Sequence, residues 1–199
     1  MCLFIETICY ENGKFHRIEL HNGRLNRTRS HFLELHSNFQ LELFLSVPAH
    51  LKDKKLKCKV VYGTGIVSIE YGLYTNKPVT SLQIVRDDEI DYSFKYEDRT
   101  KLNALFQLRG QCDDILIVKN GFITDTSFAN IIFRKDNYWY SPLNPLLRGT
   151  RLEGYVSEGR ITPTLLQTKD LPLFTEARII NALISIEDSS VIEIKDIRI

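Results

Sequence analysis

Residues Ile115 to Phe133 read ILIVKNGFITDTSFANIIF, and this stretch decides the fold of the chain. Two apolar runs meet at Asn120-Gly121, a pair that tolerates positive φ at both positions and so marks a tight hairpin. The second run is interrupted by Asp125, Thr126, Ser127 and Asn130, where a plain core strand would carry Val or Ile. A buried polar group without a partner costs roughly 1–3 kcal/mol. These residues therefore satisfy one another or face a polar ligand.

Working outward, Asn12-Gly13 predicts a second hairpin, with strands at 2–10 and 15–20. A basic segment, HNGRLNRTRSHFLEL, follows and is predicted helical from about Arg24. Residues 39–50 read as a second amphipathic helix or a connection ending at Pro48. Strands are expected at 57–62, 66–73 and 80–86. The acidic run Arg86 to Asp91 is the best boundary candidate. Beyond it, Tyr92 to Tyr96 reads as an aromatic strand and Glu97-Asp98 opens a helix that Gly110 ends. A third strand runs through 138–140. Thr150 and Glu153 form a capping-box pattern, starting a helix that Gly159 stops. Strands at 161–167, 178–185 and 190–199 and a short helix at 170–176 complete the chain. The fold class is α+β, with an N-terminal α+β domain at 1–88 and a barrel-like C-terminal domain at 89–199.

Composition excludes several function classes. The chain has 199 residues, with 26 basic against 25 acidic side chains, which disfavours a non-specific polyanion binder. Its four cysteines, Cys2, Cys9, Cys58 and Cys112, are scattered, as in a reduced cytoplasmic protein rather than a disulfide framework or zinc site. The apolar N-terminus MCLFIETICY lacks a basic leader and is broken by Glu6, so it is expected to be a strand. No run of roughly 18 apolar residues would span a membrane. The five histidines lack metal-ligand spacing, and neither GxSxG, GxGxxG nor a P-loop occurs.

Three features could carry chemistry. Lys95 lies between Phe94 and Tyr96; apolar neighbours lower an amine's pKa and leave it nucleophilic toward a carbonyl. The plain alternative is a strand-end lysine pointing into water. Gly149-Thr150 stands at a predicted helix start, where backbone N–H groups suit phosphate; an ordinary cap is the commoner case. His21, Arg24, Arg27 and Arg29 could supply a guanidinium to phosphate, or form a solvated basic face.

Taken together these residues resemble the class IV aminotransferases, the fold type IV group of pyridoxal-phosphate (PLP) enzymes. The resemblance spans nearly the whole chain. F-I-E-T-I-C-Y-E-N-G-K (Phe4 to Lys14) is similar to the family's first hairpin and H-N-G-R-L (His21 to Leu25) to its H-x-x-R-L helix. F-K-Y-E-D-R (Phe94 to Arg99) falls where the cofactor lysine is expected. Lys119 to Phe133 resembles the long signature around the pyridine-nitrogen carboxylate, R-G-T-R (Arg148 to Arg151) the phosphate turn, and I-N-A-L (Ile180 to Leu183) the last cofactor-side loop.

The resemblance implies a small N-terminal α/β sandwich and a C-terminal pseudo-barrel of the D-amino-acid-aminotransferase type. It implies PLP as cofactor, held covalently by Lys95, which would also move the substrate's α-proton. Asp125 would pair with the ring nitrogen, a position where the family usually has Glu. Arg24, Gly149 and Thr150, with the backbone of Asn181 and Ala182, would hold the phosphate. Ser127 would contact the ring, and Asn130 would tie the loop to the backbone. The chain is expected to begin past the family's first strand, and an arginine often found near Tyr62-Gly63 is absent. A homodimer acting on a small amino acid or on aminodeoxychorismate is implied, without nucleic acid or membrane. Two reactions compete. In one, Lys95 takes the α-proton of aminodeoxychorismate, and 4-aminobenzoate and pyruvate are released. In the other, a transaminase of branched-chain or D-amino acids returns the proton to the cofactor. Asn181-Ala182-Leu183 is closer to the lyase pattern. A degenerate member that binds ligand without turnover is the third reading.

Overall fold

A computed structural model describes residues 2–198. Within it β1 (Phe4–Glu11) turns at Asn12, φ 54°, and Gly13, φ 77°, into β2 (Lys14–Phe15). That is the expected hairpin, but its second strand is cut short. Arg17 adopts a left-handed conformation, φ 54°, and α1 (Ile18–Leu33) begins there, a turn and a half before the expected start. The strands β3 (Leu56–Tyr62) and β4 (Ile66–Leu73) follow as predicted. Residues 39–50 form no α-helix. Two short 3-10 turns, Leu41–Leu43 and Ala49–Leu51, carry the connection instead.

These strands make an antiparallel sheet in the order β2-β1-β3-β4. Strand periodicity puts Phe4, Glu6 and Ile8 on one face. Opposite them on β3 stand Tyr62, Val60 and Cys58. Leu25 of α1 and Leu41 join this set in one buried cluster. Glu6 is thus a carboxylate set into an apolar face.

By internal contacts the chain divides into residues 2–75 with 94–98, and residues 76–93 with 99–198. The Lys95 segment belongs to the first. Its expected strand does not form. Phe4 and Tyr96 make an isolated bridge, Ile5 N–H donates to Lys95 O at 2.9 Å and Glu97 N–H to Leu3 O at 2.9 Å. The aromatic side chains are used in packing rather than in a ladder. Phe94 stacks on His31 at 4.9 Å and meets Phe32 edge-on at 4.7 Å.

The second unit contains β5 (Leu82–Arg86), α2 (Thr100–Phe106), β6 (Asp114–Lys119), β7 (Phe122–Thr126), β8 (Asn130–Lys135) and β9 (Tyr138–Pro142). It continues through α3 (Thr150–Ser157), β10 (Ile161–Thr164), β11 (Glu176–Ile180), β12 (Ile192–Glu193) and β13 (Ile197–Arg198). The expected helix at 170–176 is a 3-10 turn over Thr168–Leu173, and strand content near both 178–185 and 190–198 is shorter than expected. The strands form a mixed sheet ordered β10-β9-β8-β7-β6-β5-β13, with β11 and β12 branching from β8. Asn120, φ 51°, and Gly121, φ 80°, close the β6–β7 hairpin as predicted. Strands β7 and β8 touch through the pair Asp125↔Asn130, beyond which β7 follows β6 while β8 follows β9 and β11. A register shift against β6 lies beside it. Bulges re-aim side chains where they occur. Helices and sheets in both units give the expected two-domain α+β fold.

Candidate active site

In the first unit, α1 buries His21, Arg24, Leu25, Thr28 and Arg29, five positions at helical spacing of which four are polar. The solvated basic face is therefore wrong for His21, Arg24 and Arg29; only Arg27 is exposed. Their partner is Glu6. Arg24 Nε donates to Glu6 Oε1 at 2.8 Å and Nη2 to Oε2 at 2.5 Å, a two-pronged contact. His21 Nδ1 meets Glu6 Oε2 at 2.5 Å. Burial pushes the His21 pKa down, with the Arg24 and Lys95 charges adding to burial and the Glu6 bond opposing it, so the neutral ring donates from Nδ1. For Glu6, burial alone would raise the pKa. The Arg24 charge and bond, with the His21 bond, outweigh it and hold the carboxyl at about 2.

Among the described residues, the buried polar set of this unit holds one carboxylate, Glu6, against two guanidiniums, Arg24 and Arg29. Arg29 meets backbone carbonyls of Ser37 and Thr64 at 3.3 and 3.4 Å and the Phe39 ring at 4.7 Å, while its Nε has no partner. Guanidinium groups are donors of the kind a phosphate takes. Lys95 is half-buried, and its charge is felt at His21.

Breaking a buried ion pair costs ~3–5 kcal/mol because the surviving charge is left uncompensated. Glu6→Gln is expected to lower the melting temperature by on the order of 10 °C in calorimetry. The difference has a pH signature. A depressed carboxyl pKa stabilises above the unfolded value and ceases to as pH falls through the folded one. The gap between wild type and variant should close between pH 4.5 and about 2.

In the second unit, Asp125 is buried on β7. Asn130 Nδ2 donates to its Oδ1 at 2.7 Å and the Leu147 N–H to its Oδ2 at 2.9 Å. Asn130 Nδ2 also reaches Leu147 O at 2.8 Å. Asn130 does the expected tying, and it ties Asp125 as well. Gly149 is required beside it, since a Cβ there would run into Asn130 Oδ1.

The expected capping box does not form. Gly149 is the cap of α3 and Thr150 the first helical residue. The helix N-terminus remains an anion-binding end. Arg151 joins it to the last loop, through Nε to Asn181 O at 2.6 Å and Nη2 to Ala182 O at 2.9 Å. Asn181 Oδ1 in turn accepts the Leu183 and Ile184 N–H groups at 2.9 and 3.0 Å. Gly149, Thr150, Asn181 and Ala182 are thus brought together. Ser127 is buried, with its side chain toward Asp114 and its carbonyl held by Arg99. Glu6, Arg151, Asp114 and Arg99 had not been singled out as site residues. Glu6 had a signal, a lone acid in an apolar strand; the others had none.

No family model matches the chain. It is 39% identical over 180 residues to an uncharacterized protein of Haemophilus influenzae, covering 89% of this chain and 96% of that protein. A crystal structure of a proposed 4-amino-4-deoxychorismate lyase from Haemophilus somnus superposes with a TM-score of 0.86 at 31% identity, covering 92% of this chain and 97% of that one. A hypothetical aminotransferase from Mycobacterium tuberculosis in its PLP-bound form superposes with a TM-score of 0.73 at 14% identity, covering 96% and 80%. The chain belongs to the class IV aminotransferase and aminodeoxychorismate lyase family, with its fold type IV architecture. Among the described residues no helix is long and apolar enough to cross a membrane.

Proposed function

We propose that the protein is a PLP-dependent lyase that releases 4-aminobenzoate and pyruvate from 4-amino-4-deoxychorismate. The observation that carries a PLP role is Asp125, a buried carboxylate whose two oxygens are set by Asn130 and the Leu147 N–H. The lyase choice is supported by Asn181-Ala182-Leu183 and by likeness to the Haemophilus somnus protein. When bound, PLP supplies an electron sink for the carbon bearing the substrate amine. Lys95 is proposed to hold it covalently and then to move the proton of that carbon. Asp125 holds a proton at the ring nitrogen. Arg24, Gly149 and Thr150, with the Asn181 and Ala182 backbone, bind the phosphate. Ser127 is proposed to act through the turn it occupies. The motif order along the chain assigns these residues to one cofactor. A cytoplasmic homodimer is the proposed setting, by family.

The test incubates PLP-loaded protein with aminodeoxychorismate and, separately, with branched-chain or D-amino acids plus 2-oxoglutarate. 4-Aminobenzoate with pyruvate is the expected result. Glutamate instead would make it a transaminase. Protein that stays colourless with added PLP would be a non-catalytic member and would sink the proposal.

A further inference from the structure

Asp114 opens β6 and is fully buried, yet the proposed chemistry does not use it. An ionised carboxylate in such a place is costly unless polar groups answer it. Burial pushes its pKa up. The Ser127 and Thr126 hydroxyls and the Ile115 and Ser127 N–H groups pull the other way. They surround the carboxylate without closing a short, well-aligned bond. Two of these three residues, Thr126 and Ser127, belong to the turn that follows Asp125.

The same turn is gripped from its carbonyl side. Arg99 Nη2 donates to Ser127 O at 2.7 Å. That guanidinium is itself placed by Tyr92, whose ring centroid lies 5.6 Å away and whose hydroxyl takes Nη1 at 3.4 Å. Within the turn, the Thr126 N–H donates to Ala129 O at 3.0 Å and the Ala129 N–H to Thr126 Oγ1 at 3.2 Å. Ser127 therefore has a buried acid beside it and a cation bonded to its carbonyl. Asp125 is two residues away, on a strand whose register against β6 slips at this point. Aspartate has a short side chain, so the reach of its carboxylate is set by the backbone that carries it.

We propose that Asp114 and Arg99 clamp Ser127 and thereby hold Asp125 at the position a pyridine nitrogen requires. Both are positioning residues, and the inference rests on the reading of Asp125 given above.

Asp114→Ala, Asp114→Asn and Arg99→Lys test it in PLP-loaded protein, with two readouts besides turnover. Amide hydrogen exchange at Thr126 and Ala129 should quicken on the order of tenfold in Asp114→Ala and Arg99→Lys while the core strands keep their protection. The pH midpoint at which the bound chromophore changes its visible band should move in the same variants. The turnover number should fall on the order of ten- to a hundredfold with little change in KM. Asp114→Asn, which keeps an oxygen acceptor, should recover most of each effect. Should Asp114→Ala fail to fold, Arg99→Lys and Asp114→Asn carry the test. Wild-type protein that binds PLP, beside variants with an unmoved chromophore titration, would overturn the clamp alone. Wild-type protein that takes up no PLP would remove the reading of Asp125 and the clamp's purpose together.

Discussion

Lys95→Ala protein is expected to take up PLP without any linkage that borohydride can fix and to lose activity on the order of 10²- to 10⁴-fold, the contribution of a positioned acid-base group. The proposed role of Lys95 has a physical basis in how its segment is held. Its backbone is pinned to β1 by the Ile5 N–H at 2.9 Å. Phe94 and Tyr96 on either side are engaged with His31, Phe32 and Phe4. A side chain anchored on both flanks keeps its direction, which a reacting amine needs. The measurement is intact mass after borohydride reduction, with and without PLP. The residues proposed to bind the phosphate are unaltered, so the variant should still bind PLP reversibly. Retention of a reducible adduct in Lys95→Ala would assign the linkage to a different lysine.

Asp125→Asn has the second-largest expected effect, and here the direction of each hydrogen bond decides it. Asp125 accepts from Asn130 Nδ2 and from the Leu147 N–H. An amide has one oxygen for two donors, so one of them must face an NH₂ group. A buried donor left without an acceptor costs about 1–3 kcal/mol. The ring nitrogen would also lose its charged partner, a bond of ~1.5–3 kcal/mol, or on the order of 10- to 100-fold in rate. The turnover number should fall by that factor, and the bound cofactor's absorption should change because its nitrogen no longer keeps its proton. Asp125→Glu is the informative control. The longer side chain must displace the Leu147 contact or the turn behind it, so it should recover activity only in part. An Asp125→Asn enzyme with wild-type turnover and spectrum would refute the assignment.

Much of this was legible in the chain because the relevant physics is local. Asn12-Gly13 and Asn120-Gly121 sit at positive φ in both hairpins as read. The acids and amides interrupting β7 and β8 stood out because apolar strands rarely carry them. The misreadings have a common cause in tertiary packing. Tyr92 to Tyr96 has the composition of a strand but only one bridge, since its aromatic residues pack on α1. The expected capping box at Thr150 gave way to a cap at Gly149, where Asn130 leaves no room for a side chain.

The family resemblance, both Asn-Gly hairpins and most of the strands could be read along the chain, because motif order, turn chemistry and periodicity are local. Only the tertiary structure decided what the candidate site residues face. Glu6 and Arg24 are 18 residues apart, and Asp125 and Leu147 are 22 apart. Whether such groups meet depends on a helix laid over a sheet and a turn folded back on a strand. Burial then sets their charge, holding Glu6 ionised against the desolvation that opposes it.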